Sequence, residues 1–105
     1  MKQYQIVVVD LAPTLGSEIT KTRPCLIVSP DEMNKNLKTV VIVPITSTSK
    51  PYPSRVFIEN AKYKGWVAMD QIRTVARERI LSFDGFVSER EIAEVKRVIR
   101  EMLVD

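Results

Sequence analysis

The sequence predicts a mainly β, α+β fold in which a small, strongly bent antiparallel sheet or barrel packs against a helix. Two patterns support this prediction. Short runs rich in β-branched residues recur along most of the chain and are separated by Pro, Gly and polar residues, whereas the last eighteen residues carry the periodicity of an amphipathic helix. Because alternating strand and helix units are missing, a Rossmann-like parallel sheet is excluded. At 105 residues the chain is expected to form a single domain, 1–105.

The predicted strands follow the apolar runs. They cover residues 5–11, 24–29, 38–46, 54–59, 65–69, 71–75 and 80–83. The third run is apolar on both alternating faces, which is typical of a central strand. Pro44 interrupts it, and we expect a β-bulge or a change of partner strand near its end.

Two helices are predicted from capping patterns. Ser29 precedes Pro30 and is followed three residues later by Glu32, which indicates a short helix near 30–35. Ser88 and Glu91 form a second capping box, which opens a C-terminal helix at about 88–103. Its apolar stripe consists of Ile92, Val95, Val98, Ile99, Met102 and Leu103.

The composition limits the classes of function. Sixteen basic and thirteen acidic residues give a net charge of +3, and since residues 88–105 hold four basic and five acidic side chains, residues 1–87 carry +4. This excess favours a polyanionic partner over a membrane. No apolar run is long enough to span a bilayer and no signal peptide is evident, so we expect a cytoplasmic protein. Cys25 is the single cysteine and His is absent, so we expect neither a metal nor another cofactor.

Residues 16–24 form a polar segment before the second strand. Pro24 favours an extended backbone at Arg23, which places this guanidinium at the rim of the sheet. An Arg there can bind a phosphate or a carboxylate through its rigid fork of donors. A surface ion pair is the alternative role.

Three segments, 10–24, 43–47 and 65–74, resemble in order and spacing the signatures of the MazF/PemK (Kid) toxins. The resemblance implies an SH3-like β-barrel with a C-terminal helix, usually a homodimer, that cleaves single-stranded RNA as a sequence-specific endoribonuclease without a metal. Such proteins are toxins of type II toxin–antitoxin systems, and a small antitoxin neutralises them. The implied catalytic residues are Arg23, Thr46 and Glu18. The implied substrate-binding residues are Ser17, Ser47, Asp70, Gln71 and Arg73, to which we add Thr48, Lys50 and Tyr52 of the polar loop 47–53.

One departure from the family bears on the chemistry. Some members carry a His where this chain has Ser17, so an acid–base scheme that uses that His cannot operate here. Metal-free cleavage needs a base for the 2′-OH of the RNA, positive charge for the phosphorane and a proton for the leaving oxygen. Glu18 is the first choice of base and Asp70 the second. Arg23 supplies charge, with proton donation to the leaving oxygen as its second role, and Thr46 orients the phosphate.

Other interpretations compete with this one. A gyrase-binding poison of the CcdB type would share the fold, but the chain ends in Arg-Glu-Met-Leu-Val-Asp rather than the Trp-Gly-Ile-like end of that toxin. A non-catalytic barrel that binds RNA or protein is the second alternative. For single residues, Asp70 and Arg73 can form a structural pair, and Glu18 can be merely solvated.

Overall fold

The computed structural model describes residues 1–11 and 22–105. In chain order these residues form β1 (Gln5–Asp10), β2 (Thr22–Ile27), α1 (Asp31–Asn36), β3 (Thr39–Thr46), β4 (Arg55–Glu59), β5 (Lys64–Ala68), β6 (Arg73–Ala76), β7 (Ile80–Phe86) and α2 (Glu89–Ile99). Short 3₁₀ turns occupy Met69–Gln71 and Arg77–Arg79. The predicted strands are therefore confirmed to within a few residues. The predicted C-terminal helix is confirmed as α2 followed by a π-helical turn, Arg100–Val104.

The strands form an antiparallel sheet in the order β4-β5-β3-β2-β1-β7, with β6 paired to β3. One edge of β3 pairs with β6 over Thr39–Ile42 and then with β5 over Ile45 and Thr46. Pro44, which has no N–H to donate, lies where the partner changes, so the predicted change of partner is confirmed. The predicted fold class, mainly β with a short helix and a C-terminal helix, is also confirmed.

Within residues 1–11 and 22–105, alternating residues of the sheet build two separate cores. Val43 and Ile45 of β3 belong to one cluster, together with Val95 and Val98 of α2. Val40 and Ile42 point to the opposite face, where they pack with residues of β1, β2 and β6. Apolar burial on both faces explains why the β3 run is continuously hydrophobic.

The predicted Ser29 cap of α1 is wrong. The residue preceding the helix is Pro30, with no capping side chain, and the helix begins at Asp31. The buried Ser29 hydroxyl instead donates to Asn34 Oδ1 and accepts from the Val41 backbone N–H at 3.0 Å. A buried hydroxyl needs hydrogen-bond partners close to it, and here the partners are Val41 of β3 and Asn34 inside α1.

The predicted capping box of α2 is confirmed and extends to the sheet. Ser88 Oγ accepts from the Glu91 N–H, and Glu91 Oε1 accepts from the Ser88 N–H at 2.8 Å. The other oxygen, Glu91 Oε2, accepts from the Glu59 N–H at the end of β4 at 2.9 Å. Glu91 therefore fixes where the helix starts and how it joins the sheet.

None of the helices in residues 1–11 and 22–105 has the length and hydrophobicity needed to cross a membrane.

Candidate functional site

An open cavity of about 610 Å³ lies at one edge of the sheet, where β2 begins and β3 ends. Its described walls come from β2, from the end of β3 and the loop behind it, and from the 3₁₀ turn after β5. The lining residues are Thr22, Arg23, Pro24, Ile45, Thr46, Ser47, Thr48 and Gln71. Five residues predicted from the sequence thus meet around one cavity: Arg23, Thr46, Ser47, Thr48 and Gln71.

The antiparallel register of β2 and β3 brings Arg23 and Thr46 together. Cys25 pairs with Pro44, and continuing that register by two residues places Arg23 opposite Thr46. Residues directly opposite in an antiparallel pair project to the same face. Arg23 lies inside β2, paired with Val9 of β1, which agrees with the extended backbone predicted from Pro24. A cation and a hydroxyl therefore share one face at the rim of the sheet.

The hydroxyl groups of the cavity are partly held by the loop. Thr46 Oγ1 donates to the Thr48 carbonyl at 2.8 Å, which leaves its lone pairs free to accept. Ser47 and Thr48 are exposed. Together with Arg23 these hydroxyls form a polar, positively charged surface that suits an oxyanion such as a phosphate.

Arg73 adds positive charge on the same face, although it does not line the cavity. It pairs with Ile42 of β3, whose side chain shares a cluster with Cys25. Burial raises the pKa of the Cys25 thiol to about 12, while the positive charges of Arg23 and Arg73 act in the opposite direction. Both guanidinium groups therefore lie close enough to Cys25 to act on it electrostatically.

Asp70 is held by Arg55 rather than by Arg73. Arg55 Nε donates to Asp70 Oδ1 at 2.8 Å, and Arg55 Nη2 donates to Asp70 Oδ2 at 3.1 Å. Ser54 Oγ donates to Asp70 Oδ1 at 2.9 Å. These bonds, first that of Arg55, lower the pKa of the Asp70 carboxyl. The predicted structural pair of Asp70 with Arg73 is therefore replaced by a pair with Arg55.

Two further residues predicted from the same loop, Lys50 and Tyr52, are not among the described residues that line the cavity. Lys50 is exposed, and Tyr52 is half-exposed with its ring centroid 5.6 Å from the Arg55 guanidinium carbon. Ser17 and Glu18, which were assigned to the site from the sequence, lie outside the described residues. Within residues 1–11 and 22–105, no group of three or more His, Cys, Asp or Glu side chains is arranged to hold a metal ion.

The sequence did not single out Arg55, which holds Asp70, or Phe57, which lies two strands from Thr46 on the same face. Thr46 pairs with Trp66 of β5, and Trp66 pairs with Phe57 of β4, so the three side chains share a face. The two rings meet edge to face with centroids 5.2 Å apart. The sequence pattern that could have indicated Phe57 is the alternation in the strand Arg55–Glu59. Val56 and Ile58 are buried, so the aromatic side chain of Phe57 between them lies on the exposed face.

The fold and the cavity define a class of small antiparallel β proteins with a polar, positively charged cavity at the rim of the sheet, and comparisons with known proteins specify the family. Residues 2–103 match the family described as PemK-like, MazF-like toxin of type II toxin-antitoxin system. The chain belongs to this family. It is 31% identical over 105 residues to the endoribonuclease MazF of Staphylococcus saprophyticus, covering 94% of this chain and 88% of that protein. It is 32% identical over 96 residues to the endoribonuclease toxin MazF of Escherichia coli K12, covering 90% and 86%.

Solved structures agree in fold. MazF from Deinococcus radiodurans superposes with a TM-score of 0.84 at 26% identity, covering 98% of this chain and 96% of that chain. A mycobacterial endoribonuclease in complex with its cognate antitoxin gives a TM-score of 0.85 at 23% identity, covering 98% and 94%. The chain is thus a homologue of MazF endoribonucleases over nearly its whole length.

Proposed function

We propose that this protein is a sequence-specific endoribonuclease that cleaves single-stranded RNA and acts as the toxin of a type II toxin–antitoxin pair. The observation that carries the proposal is the cavity in which Arg23 and Thr46 lie across from each other at the sheet rim. A cation and hydroxyl donors around an open groove suit a phosphodiester. Family membership supplies the reaction class.

The proposed chemistry uses the RNA as its own nucleophile. The 2′-OH attacks the adjacent phosphorus and the bond from phosphorus to the 5′ oxygen breaks, which leaves a 2′,3′-cyclic phosphate and a 5′-OH. Arg23 stabilises the charge that develops on the phosphorane, and Thr46 orients a phosphate oxygen. This route needs no metal or other cofactor.

Glu18 is the proposed base for the 2′-OH, and the resemblance to the family supports it. Asp70, the second choice, is less suited, because Arg55 and Ser54 occupy its oxygens and its lowered pKa makes it a weaker base. Substrate bases and flanking phosphates would meet Ser17, Ser47, Thr48, Lys50, Tyr52, Gln71 and Arg73. Unstacked bases of a single strand are the expected targets of such a loop-rich surface.

The test is cleavage of a long, diverse single-stranded RNA in excess EDTA, with the new ends analysed for 5′-OH and cyclic phosphate. We expect Arg23→Ala to lose at least about a hundredfold in rate while remaining folded. Arg97→Ala is the matched control, because it also removes an Arg but on the outer face of α2. Absence of cleavage by the wild-type protein across the pool would overturn the proposal, and trapped DNA breaks in a gyrase supercoiling assay would favour a CcdB-like poison instead.

We further propose that the protein forms a homodimer and that a small antitoxin binds it. Leu81, Phe83 and Phe86 of the edge strand β7 are each more than half exposed, which supports an interface on that strand. A basic toxin suits an antitoxin with an acidic tail, and structures of relatives contain a cognate antitoxin or MazE. Sedimentation that shows only a 12.0 kDa species at micromolar concentration would contradict the dimer.

A single domain over residues 1–105 is supported by the family match over residues 2–103. Cleavage of messenger RNA would inhibit growth, and such a substrate implies a cytoplasmic site of action. Expression without the antitoxin should therefore arrest growth of the host, and Arg23→Ala should relieve the arrest.

A further inference from the structure

We propose that Arg55 is a positioning residue that orders the loop 47–53, here called the recognition loop, and thereby sets which RNA bases the site accepts; this inference rests on the proposed function. Arg55 is the first residue of β4 and follows the loop directly. It does not line the cavity among the described residues, so its effect on RNA must pass through the groups that it holds.

Three different groups surround the Arg55 guanidinium. Two of its N–H groups bind the Asp70 carboxylate at 2.8 and 3.1 Å. A third, on Nη1, donates to Ser49 Oγ at 3.0 Å. The ring of Tyr52 lies 5.6 Å from the guanidinium carbon, within the range of a cation–π contact. The Arg55 side chain is only 13% exposed, whereas the Asp70 side chain that it binds is 39% exposed.

The contacts of Arg55 connect two walls of the cavity. Ser49 and Tyr52 belong to the loop that carries Ser47 and Thr48, while Asp70 belongs to the 3₁₀ turn that carries Gln71. The Met69 N–H donates to the Ser54 carbonyl at 2.9 Å, which fixes the same turn to the residue before Arg55. Arg55 is therefore the side chain that joins Ser49 and Tyr52 of the loop to Asp70 of the turn, and the backbone bond from Met69 holds the turn beside it.

The shape of the side chain matters more than its charge. A planar guanidinium can bind a carboxylate in two places and still present a third N–H to Ser49, whereas a Lys ammonium offers a point charge on a flexible stem. Arg55→Lys therefore keeps the positive charge near the site and removes the fork. If Arg55→Lys changes the exchange of the loop amides or the RNA sequence preference, the cause is therefore the lost hydrogen-bonding geometry and not a lost positive charge.

The first experiment measures hydrogen exchange of backbone amides in the free protein. We expect Arg55→Lys to raise the exchange rate of the hydrogen-bonded amides of residues 52 and 55, at the end of the loop, at least about tenfold and to leave β2 and the first half of β3 unchanged. Arg97→Lys is the matched control, because Arg97 also binds carboxylates in two places, at Glu94 and Glu101, but on the surface of α2. Unchanged exchange of the loop in Arg55→Lys would overturn the proposal without any reference to RNA.

The second experiment sequences the cleavage sites in a randomised RNA pool. We expect Arg55→Lys to lower the preference for the best site over the next by about tenfold, mainly through KM, with a smaller loss in kcat at the best site. Ser49→Ala, which leaves the pair of Arg55 with Asp70 intact, should give a smaller loss of the same kind. An equal loss of rate at all sites, with the motif unchanged, would contradict the proposal. If the wild-type protein cuts no RNA the proposed function fails, and the exchange experiment still decides whether Arg55 orders the loop.

Discussion

Gly65 packs directly against the backbone carbonyl of Thr46. A Cβ on Gly65 would lie 2.3 Å from the Thr46 carbonyl oxygen and 3.2 Å from its carbonyl carbon. No side chain fits at the first distance, so β5 reaches β3 only because residue 65 is Gly. The position of Thr46, which lies beside Arg23 on the face of the sheet that lines the cavity, therefore depends on a glycine in the neighbouring strand.

Gly65→Ala should consequently damage both the fold and the site. The new methyl group must push the Thr46 carbonyl away, and overpacking of this kind costs about 1–3 kcal/mol in the free energy of unfolding. We expect RNA cleavage to fall as well, because the Thr46 hydroxyl moves with its backbone. Urea denaturation and the RNA cleavage assay measure the two effects. A Gly65→Ala variant that is folded and cuts RNA at the wild-type rate would contradict this account.

Substitution of Glu91 should lower the free energy of unfolding without changing the cavity. Glu91→Ala removes the acceptor of two backbone N–H groups, those of Ser88 and Glu59, and should lower the free energy of unfolding by about 1–3 kcal/mol. Glu91→Gln keeps one carbonyl oxygen and should lose less. The midpoint of urea denaturation measures both effects at an unchanged m-value.

Glu94→Ala is the matched control for this prediction. Glu94 is an exposed carboxylate on the same helix and pairs with Arg97, and such surface pairs contribute at most about 1 kcal/mol. Equal losses for Glu91→Ala and Glu94→Ala would show that the link from Glu91 to β4 does not stabilise the fold. Because Glu91→Ala is expected to destabilise the protein without touching the cavity, it also serves as a stability-matched comparison for Gly65→Ala.

The parts of the fold that local patterns determine were predictable. Runs of β-branched residues identified the strands, the apolar stripe identified α2, and Pro44 marked the change of partner in β3. In each of these cases the signal lies within a few residues of the feature that it predicts. Local pattern placed Arg23 only at the start of a strand, and it was the resemblance to the family that assigned Arg23 and Thr46 to one site.

The features that were missed depend on contacts between distant segments. A pair with Arg73, three residues away, was the structural alternative to RNA contact for Asp70, but the hairpin of β4 and β5 brings Arg55 to it from fifteen residues away. Ser29 was expected to cap α1, but its burial beside β3 supplies other partners. Spacing along the chain does not reveal such choices, because they follow from the register of strands that are far apart in sequence.

Cys25 should be unreactive in the folded protein. The thiol is buried and its pKa is raised to about 12, so almost no thiolate exists at neutral pH. We expect no labelling by iodoacetamide at pH 8 without denaturant and complete labelling in concentrated urea. Rapid labelling of the native protein would contradict the burial of Cys25 in the core that contains Val40 and Ile42.

The same shift predicts how stability depends on pH at the alkaline end. The folded-state pKa of Cys25 lies above the value of about 8.5 expected in the unfolded chain, so the stabilising effect is complete below about pH 8.5 and is lost as the pH rises. Above that value the unfolded chain releases a proton that the folded protein retains. The free energy of unfolding should then fall by up to about 1.4 kcal/mol per pH unit from this group, and Cys25→Ala should show a smaller slope.

Asp70 should titrate below the ordinary range of an aspartate. The hydrogen bonds from Arg55, followed by that from Ser54, favour the charged carboxylate and lower its pKa. The stabilisation is therefore present above the unfolded-state value of about 3.9 and is lost as the pH falls toward the lowered pKa. Because Asp70 is more than one third exposed, the energetic effect is modest. Carbon NMR of the Asp70 carboxyl group measures the titration, and Arg55→Gln should move the pKa upward. A wild-type pKa at or above 3.9, or no change in Arg55→Gln, would show that Arg55 does not hold the Asp70 charge.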